Sequence, residues 1–436
     1  MMKESLIDYT LHLADNALVL GHRNSEWTGH GPILEQDIAL SNIALDLIGQ
    51  ARYLYQYAAA LLNAGHEQGV GAVSGVTGAT GVAAVPAGVA TEDGLAYLRD
   101  SWDFKNCLLV EQDNGDWGKT ILRQFFFSAY QYYFYQQLQE GKDRDLAAVA
   151  EKSFKEVSYH LRWSSEWVIR LGDGTEESHR RMVGALDQLW KLTGELFAPA
   201  SYERALEAGG SPWILLRCDR RGKIGSVTFS GRRGWLCPTQ GGSRRGKGRK
   251  AYRASGVFAG RDAIFTKSIS GQRMVDTVKI WSLLEQVNDP EVPVLSIVDL
   301  GIIRDVREVN ETIPEVVLTP TYSGCPAMDA IRMNIRMVLL SNGYPDVRLT
   351  TVLSPAWTTE WMSEKGKEKL KAYGIAPPLP LQQVCHPGLF VREEAVACPR
   401  CNSWHTTLIS EFGSTACKSL YRCEDCGEPF DYFKCH

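Results

Sequence analysis

A basic segment at residues 211–273 divides this chain of 436 residues and most limits how the chain can fold. The segment holds 15 Lys and Arg residues against two Asp and no Glu, a balance of +13. The whole chain carries −4, so the remaining residues sum to −17. Neither a helical nor a strand period continues through the segment, because Gly and Arg recur without pattern. Aromatic-rich sequence precedes it and cysteine-rich sequence follows it, so we predict several domains.

Four regions follow from this division. We predict a helical bundle at 1–210, the basic segment at 211–273, a small α+β domain at 274–380 and a cysteine-rich metal-binding tail at 381–436. The N-terminal residues include Glu4, Asp8 and Asp15 and no long apolar run, which excludes a signal peptide there. The uncharged stretch 68–91 is rich in Gly, Ala and Val and lacks Leu, Ile and Phe, so it predicts a flexible insertion rather than a membrane span. We therefore predict a cytoplasmic chain.

The first region shows the helical period in several long runs. Apolar residues recur at three and four over 34–62, and residues 120–138 pack aromatic side chains on almost every side of a helix. A further helix spans 146–171, and another begins at Glu176. No strand pattern interrupts them, so the region is predicted to be all-α.

Long helices with inward acids raise the question of a di-iron site. Such a site needs a Glu from each of two helices and Glu-x-x-His from each of two others. The inward-facing acid candidates are Glu35, Asp46, Glu111 and Glu156, the last with His160. Glu156 and His160 are four apart, and the one true Glu-x-x-His, Glu176 to His179, lies at a helix start. We predict a degenerate site without di-iron and without catalytic residues; the alternative is an active oxygenase subunit that uses Asp46, Glu156 and His160.

This region resembles a known family. The runs YTLHLADNALVLGHRNSEWTGHGPILEQDIALSNIALDLIGQARYLYQYAA, DFKNCLLVEQDNGDWGKTILRQFF and EVSYHLRWSSEWVIRLGDGTEESHRRM are similar to the structural subunit (PaaC) of bacterial phenylacetyl-CoA epoxidase. The resemblance covers about residues 4–207 and implies a ferritin-like, non-catalytic subunit that pairs with a homologous catalytic di-iron subunit. The Gly/Ala/Val insertion departs from the family pattern, and the basic segment stands where the final helices are expected.

Three hypotheses account for the basic segment. It could contact nucleic acid through phosphates, it could be a disordered linker, or it could be the out-of-frame translation of GC-rich coding DNA. The resemblance stops near Gly210 and a second one begins near Met274, which favours a frameshift or fusion scar. Its aromatic residues are too scattered for a base-stacking platform, and the charge outside the segment argues against nucleic acid as a partner.

The region 274–380 combines short strands with two helices. Ile280, Leu283, Leu284 and Val287 form one apolar face of a helix, strands are predicted at 301–309, 315–322 and 347–353, and a helix lies between the last two. Cys325 precedes Pro326 at the start of that helix, where the helix dipole favours a thiolate and lowers the thiol pKa. Such a cysteine can act as a nucleophile, bind a metal or cluster, or pack as a small buried residue.

The second half also resembles a known family. The runs NDPEVPVLSIVDLGIIRDVREV, LTPTYSGCPAMDAIR and LSPAWTTEWMSEKGKEKLKAYGIAPP are similar to small iron–sulfur assembly factors, and among them to the phenylacetate-pathway member (PaaD, also called PaaJ). The resemblance covers 274–436 and implies delivery of iron or an iron–sulfur cluster to the oxygenase. Cys325 matches the family's functional cysteine, and Asp289 and Glu291 match its acidic motif, although both could simply cap a turn.

The tail carries two Cys-x-x-Cys pairs. The four cysteines are Cys398, Cys401, Cys423 and Cys426, with 21 residues between the pairs. Two such pairs at this distance predict a four-thiolate zinc ribbon, and an iron–sulfur cluster would accept the same ligands. Cys417 and Cys435 are possible additional ligands.

Together, the two resemblances predict one function for the fused chain. It would be a structural subunit of the phenylacetyl-CoA ring-epoxidising oxygenase joined to a maturation factor for the iron or iron–sulfur centres of that enzyme. The implied partners are the catalytic di-iron subunit and the other oxygenase components.

Overall fold

The computed structural model describes residues 2–64, 89–208, 275–310, 312–379, 396–413, 415 and 417–434. The predictions for the basic segment 211–273, for residues 68–88 of the insertion and for Cys435 lie outside these ranges. Among the helices in the described ranges, none is both long and apolar enough to cross a membrane.

The helical half is built from long helices with short ones between and after them. The long helices are α1 (Met2–Ser25), α2 (Leu34–Asn63), α5 (Trp117–Leu138), α6 (Arg144–Gly172) and α7 (Glu176–Thr193). The short helices are α3 (Glu92–Tyr97), α4 (Leu108–Glu111) and α8 (Ser201–Ala208). Helix α1 packs along α2 and α5 packs along α6, while α2 contacts α6 and α7 contacts α5. The predicted all-α ferritin-like bundle is confirmed.

Side-chain caps determine where several of these helices begin. Helices α3, α5, α6 and α7 start after Thr91, Asp116, Asp143 and Thr175, respectively. Each cap oxygen accepts the N–H of the residue three positions further on, which otherwise has no partner within its helix.

Helix α5 lies at the centre of the bundle core, as its aromatic run predicts. Its buried aromatic side chains are Phe125, Phe126, Phe127, Tyr130, Phe134 and Tyr135. Tyr130 and Phe134, one turn apart, stack with their ring centroids 5.4 Å apart. Full burial of one such side chain stabilises the fold by about 1.5–3 kcal/mol, so α5 contributes a large share of the bundle's apolar energy.

The α+β domain packs three helices around a three-stranded sheet. Its elements are α9 (Thr277–Leu284), β1 (Ile303–Asn310), β2 (Ile313–Leu318), α10 (Ala327–Ser341), β3 (Arg348–Thr351) and α11 (Glu364–Tyr373). Strand β2 lies in the middle, antiparallel to β1 and parallel to β3, so that α10 is the crossover helix. Trp357 is completely buried in this domain, and its Nε1–H donates to the carbonyl oxygen of Leu300 at 2.9 Å.

Strand β2 ends earlier than the alternation of apolar residues predicts. It stops at Leu318 rather than at residue 322, and residues 319–325 leave the sheet as a loop. Pro320 has no N–H for a ladder hydrogen bond, and the carbonyl oxygens of Pro320 and Thr321 accept hydrogen bonds from Lys152 of the bundle. This loop, 319–325, is called the cysteine loop below because it ends at Cys325.

The tail folds as a three-stranded antiparallel ribbon. Its strands are β4 (Thr406–Ser410), β5 (Lys418–Cys423) and β6 (Pro429–Phe433), with β5 in the middle. The ribbon joins the α+β domain through Ala376, whose N–H donates to the carbonyl oxygen of Asp431 at 2.8 Å. Phe433 also packs edge-on against Trp357, with 6.1 Å between the ring centroids. The predicted α+β domain and zinc-ribbon-like tail are confirmed as fold classes.

Candidate functional site

The four tail cysteines converge at one end of the ribbon. Cys398 and Cys401 precede β4, whereas Cys423 ends β5 and Cys426 lies in the turn to β6. Their four Sγ atoms all lie within 4.8 Å of one another. The Sγ–Sγ distance is 3.8 Å from Cys398 to Cys426 and 3.5 Å from Cys401 to Cys423.

Both Cys-x-x-Cys turns have the same backbone geometry. The residue after the second cysteine has a positive φ, 60° at Asn402 and 75° at Gly427. Its N–H donates to the carbonyl oxygen of the first cysteine at 2.9 Å in each turn. Gly favours this left-handed conformation and Asn tolerates it, so the sequence determines the turn locally.

The spacing of the sulfurs fits a single tetrahedral ion. Sulfurs at 2.3 Å from a tetrahedrally coordinated zinc ion lie about 3.8 Å from one another. Hydrogen bonds from the backbone N–H groups of Cys426 and Asp425 lower the pKa of the Cys423 thiol, which favours the thiolate that a metal requires. Among the described residues, these four cysteines are the only group of three or more potential ligands whose donor atoms approach one another this closely.

Cys325 lies next to the start of α10, but Pro326 is the N-cap of that helix rather than its first residue as predicted. The predicted lowering of the Cys325 pKa is wrong. Burial raises the pKa of the thiol, and the nearby Glu291, Cys417 and Asp289 raise it further. The α10 dipole is worth at most about 2 kcal/mol, whereas burial can shift a pKa by several units. In this conformation Cys325 is therefore a neutral thiol.

The predicted acidic pair stands close to this cysteine. The Asp289 carboxylate accepts the N–H groups of Glu291 and Val292, both at 2.8 Å, so it does cap a turn. The carboxylate of Glu291 accepts a hydrogen bond from the Tyr322 hydroxyl at 3.4 Å. Cys417 is buried in the core of the α+β domain, apart from the four clustered cysteines. The structure thus brings Cys325, Cys417 and the two acids together in a looser cluster.

The candidate metal residues of the bundle form a hydrogen-bonded network. Nε2 of His160 lies 2.9 Å from Oδ2 of Asp46, and Glu156 accepts a hydrogen bond from Nε2 of Gln50 at 2.9 Å. Burial lowers the pKa of His160 to about 3, so its imidazole is neutral. Glu35 is half-buried in the first turn of α2, about 16 Å from Asp46 along the helix axis. The structure therefore separates Glu35 from the other three.

Two buried lysines influence this network through their charge, and sequence reasoning missed both. Lys152 and Lys434 are each 2% exposed, and burial lowers the pKa of both ammonium groups. Burial raises the pKa of Asp46, and both lysines oppose that rise. Burial and Asp46 raise the pKa of Glu156, and Lys152 opposes that rise. The signal for Lys152 was present, because Lys152, Glu156 and His160 recur at a spacing of four on one face of α6.

The true Glu-x-x-His pair has a structural role. Glu176 and His179 lie in the first turn of α7, where Nδ1 of His179 is 2.8 Å from the carbonyl oxygen of Gly172. This contact ties the start of α7 to the end of α6. The pair lies on the connection between two helices, as a capping interpretation predicts.

The buried carboxylate of Asp299 in the α+β domain allows a test by pH. Burial alone would raise the pKa of Asp299, but hydrogen bonds from Lys369, Ser363 and Ser296 lower it to about 2. The unfolded value is about 3.9, so the carboxylate stabilises the fold above about pH 4 and this contribution is lost as the pH falls through about 2. We expect Asp299→Asn to destabilise the α+β domain by on the order of 1–2 kcal/mol at pH 6 and by much less at pH 2.

Urea unfolding of both proteins at the two pH values measures this difference. Asp305→Asn is the matched control, because the Asp305 side chain is 48% exposed and pairs with Arg307 on its own strand. A difference between wild type and Asp299→Asn that stays constant from pH 6 to pH 2 would show that the carboxylate charge is not involved.

Three family models match separate parts of the chain. The model described as "Phenylacetic acid catabolic protein" matches residues 1–213, and "Iron-sulfur cluster assembly protein" matches 277–349. The model described as "PaaD zinc beta ribbon domain" matches residues 385–434. The matches fall on the helical bundle, the α+β domain and the cysteine ribbon in that order.

Curated relatives match each half. A putative subunit of 1,2-phenylacetyl-CoA epoxidase from Escherichia coli is 53% identical to the second half over 157 residues, which is 36% of this chain and 92% of that protein. A different subunit of 1,2-phenylacetyl-CoA epoxidase from the same organism is 43% identical to the first half over 205 residues, which is 47% of this chain and 73% of that protein. An "Fe-S protein maturation auxiliary factor" from Porphyromonas gingivalis is 35% identical over 92 residues, 21% of this chain and 87% of that factor.

The fold and the cysteine cluster define a ferritin-like bundle joined to an iron–sulfur assembly domain with a metal-binding ribbon. The chain belongs to the family of phenylacetyl-CoA epoxidase subunits, with a bundle of the PaaC type followed by a half of the PaaD type.

Proposed function

We propose that this chain is a structural subunit of a phenylacetyl-CoA ring-epoxidising oxygenase, joined to a maturation factor for that oxygenase's iron or iron–sulfur centres. The observation that carries the proposal is the state of the bundle's polar core. The bundle keeps inward acids and a histidine, but Asp46 contacts His160 and Glu156 accepts a hydrogen bond from Gln50. The buried ammonium group of Lys152 also acts on both acids through its charge.

This network is poorly suited to hold two iron ions. Asp46 and His160 contact each other, and Glu156 accepts hydrogen bonds from Gln50 and from the backbone N–H of Ser323. The ammonium group of Lys152 supplies a positive charge beside these acids. A di-iron site needs four carboxylates and two histidines from four helices. Oxygen chemistry would therefore take place in a partner, the catalytic di-iron subunit.

The ribbon supports a metal-dependent second half. The Sγ spacing favours zinc, because the sulfurs of Cys398 and Cys426 and those of Cys401 and Cys423 lie close to the distance that one tetrahedral ion requires. An iron–sulfur cluster with several irons would hold its thiolates further apart. We propose that Cys398, Cys401, Cys423 and Cys426 bind one structural zinc ion. Cys417 and Cys435 are not needed for this set.

Cys325 is the proposed contact for the iron or cluster that is delivered. It lies at the end of a loop with two acids and a second cysteine nearby. Carboxylates and thiolates can both bind iron, and Cys325 becomes a ligand once its thiol loses its proton. The iron is cargo in this proposal, so the site need hold it only during transfer.

The test combines this chain with the catalytic di-iron subunit. We expect the two to co-purify, and we expect oxygen consumption with phenylacetyl-CoA only when the catalytic subunit is present. Cys325→Ser should lower the iron content of the oxygenase components matured with it, while co-purification is unchanged. Substrate-dependent oxygen consumption by this chain alone would establish the active-subunit alternative. Unchanged iron content with Cys325→Ser would remove the maturation role.

A further inference from the structure

The cysteine loop rests directly on the bundle, backbone against backbone. A Cβ atom at Gly49 of α2 would lie 2.3 Å from the backbone N of Gly324. A Cβ atom at Gly324 would lie 2.1 Å from the carbonyl oxygen of Leu45. Real Cβ atoms do not approach other atoms this closely. Only glycine at both positions allows the loop and the helix to meet.

Charged side chains along α6 make further polar contacts with the α+β domain. The ammonium group of Lys152 donates to the carbonyl oxygen of Pro320 at 2.8 Å, and that of Lys155 donates to the carbonyl oxygen of Trp357 at 2.9 Å. One turn before Lys155, the carboxylate of Glu151 accepts the Ser354 hydroxyl and the Ala356 N–H at 2.9 and 3.0 Å. Each of these three charged side chains therefore meets backbone or hydroxyl groups of the opposite hydrogen-bonding kind on the α+β domain.

The ribbon continues this surface. Arg162 of α6 forms an ion pair with Glu411, and the side-chain amide of Asn42 donates to the carbonyl oxygen of Gly413 at 3.3 Å. The ammonium group of Lys434 lies 4.4 Å from the centre of the Tyr159 ring. Apolar packing crosses the boundary as well, because Phe412 is part of the bundle's buried core cluster.

We propose that the α2–α6 face of the bundle is a docking surface for the PaaD-type half, and that docking restricts access to Cys325. Only the PaaD-type half fits this surface, since its glycine contact, its charged side chains and its apolar patch are all matched by residues of that half. The two Escherichia coli relatives are separate proteins that match different halves of this chain. The surface thus joins within one chain two modules that exist elsewhere as two chains.

The thiol of Cys325 is close to the docked helices. Cys325 directly follows Gly324, whose backbone meets α2, and the Cys325 side chain is partly buried. The residues that precede Cys325 are held to the bundle, because the N–H of Ser323 donates to Glu156 at 2.5 Å. A reagent or an acceptor protein therefore reaches the thiol more easily after the loop leaves the bundle. The docking contact itself does not depend on the proposed maturation role.

Gly49→Ala in the full chain tests the proposal. The new methyl group collides with the backbone of residues 323 and 324, while alanine favours the helix itself. We expect iodoacetamide to modify Cys325 at least about tenfold faster in the variant, because reaction through an open state follows the population of that state. Peptide mass spectrometry measures the rate at each cysteine. Gly184→Ala on α7 is the matched control, because a Cβ atom at Gly184 would meet nothing within 4 Å.

Cys107 reports whether the bundle stays folded, because it is 3% exposed in the bundle core. If Gly49→Ala also exposes Cys107, Glu151→Lys decides instead, since it reverses a charge at the docking surface. Its control is Glu177→Lys on α7, where Glu177 is half-exposed and pairs with Arg181. An unchanged Cys325 rate in a docking variant that keeps Cys107 protected overturns the proposal. So does a wild-type Cys325 rate equal to that in urea.

Discussion

Removal of the metal is expected to unfold the cysteine ribbon and to leave the helical bundle folded. The ribbon's own core is small, comprising Ala376, Val396, Cys398, Tyr421, Cys423, Phe430 and Tyr432. Two of these residues are proposed metal ligands, so the apolar remainder cannot offset the conformational entropy of ordering the segment. A structural zinc ion supplies about 10–16 kcal/mol of apparent free energy at neutral pH. Without it, strands β4 to β6 should exchange their amide hydrogens as an unfolded chain does.

Hydrogen exchange with and without a chelator measures this effect, and elemental analysis counts the metal. We expect one zinc ion per chain in the wild type and none bound at this site in Cys398→Ser. Cys417→Ala is the matched control, because Cys417 directly precedes strand β5 but its side chain packs in the α+β core, outside the four-sulfur cluster. That variant should keep its zinc. Iron with inorganic sulfide in the purified protein would show that the tail holds a cluster, and protected strands after complete metal removal would show that the ribbon folds by itself.

The ribbon could be predicted from sequence because its metal site is local. Each Cys-x-x-Cys turn is complete within five residues, including the left-handed residue at Asn402 or Gly427. Joining the two turns then requires only a short antiparallel sheet. The helices of the bundle were predictable for a similar reason, since each apolar stripe and each cap depends on residues within four positions.

The contact between the halves could not be predicted in this way. It depends on Gly49 and Gly324 meeting across the chain, and neither residue belongs to a motif that signals such a contact. The local sequence signals this contact only through the spacing of Lys152, Glu156 and His160, which indicates a polar face of α6 that must be covered. Which part of the chain covers that face is decided by the tertiary structure and not by the local sequence.

The pKa of Cys325 shows the same limit on a smaller scale. The sequence places the cysteine before α10 and Pro326, and the local rule for a helix start favours a thiolate. The fold then buries the thiol near Glu291 and Cys417, which are distant in sequence, and both effects favour the neutral form. Because desolvation is the larger effect, the three-dimensional neighbours decide the protonation state.

Asp15→Ala is expected to be the most damaging substitution of a single charged side chain in the bundle. The Asp15 side chain on α1 is completely buried and pairs with Arg99. Its carboxylate also accepts the Tyr55 hydroxyl at 2.6 Å and the backbone N–H of Lys105 at 2.7 Å. It therefore ties α1 to α2 and to the segment after α3.

Alanine at this position leaves a buried guanidinium and two buried donors without their acceptor, which costs about 3–5 kcal/mol. Asp8→Ala is the matched control on the same helix, because Asp8 is 42% exposed and its carboxylate pairs with the Lys105 ammonium group at 3.3 Å. An exposed pair of this kind contributes less than about 1 kcal/mol. Urea unfolding followed by far-UV circular dichroism gives both free energies. Equal losses of unfolding free energy from the two substitutions would mean that burial of Asp15 adds nothing. A loss confined to Asp15→Ala places the bundle's main polar interaction at this carboxylate, outside the degenerate metal network.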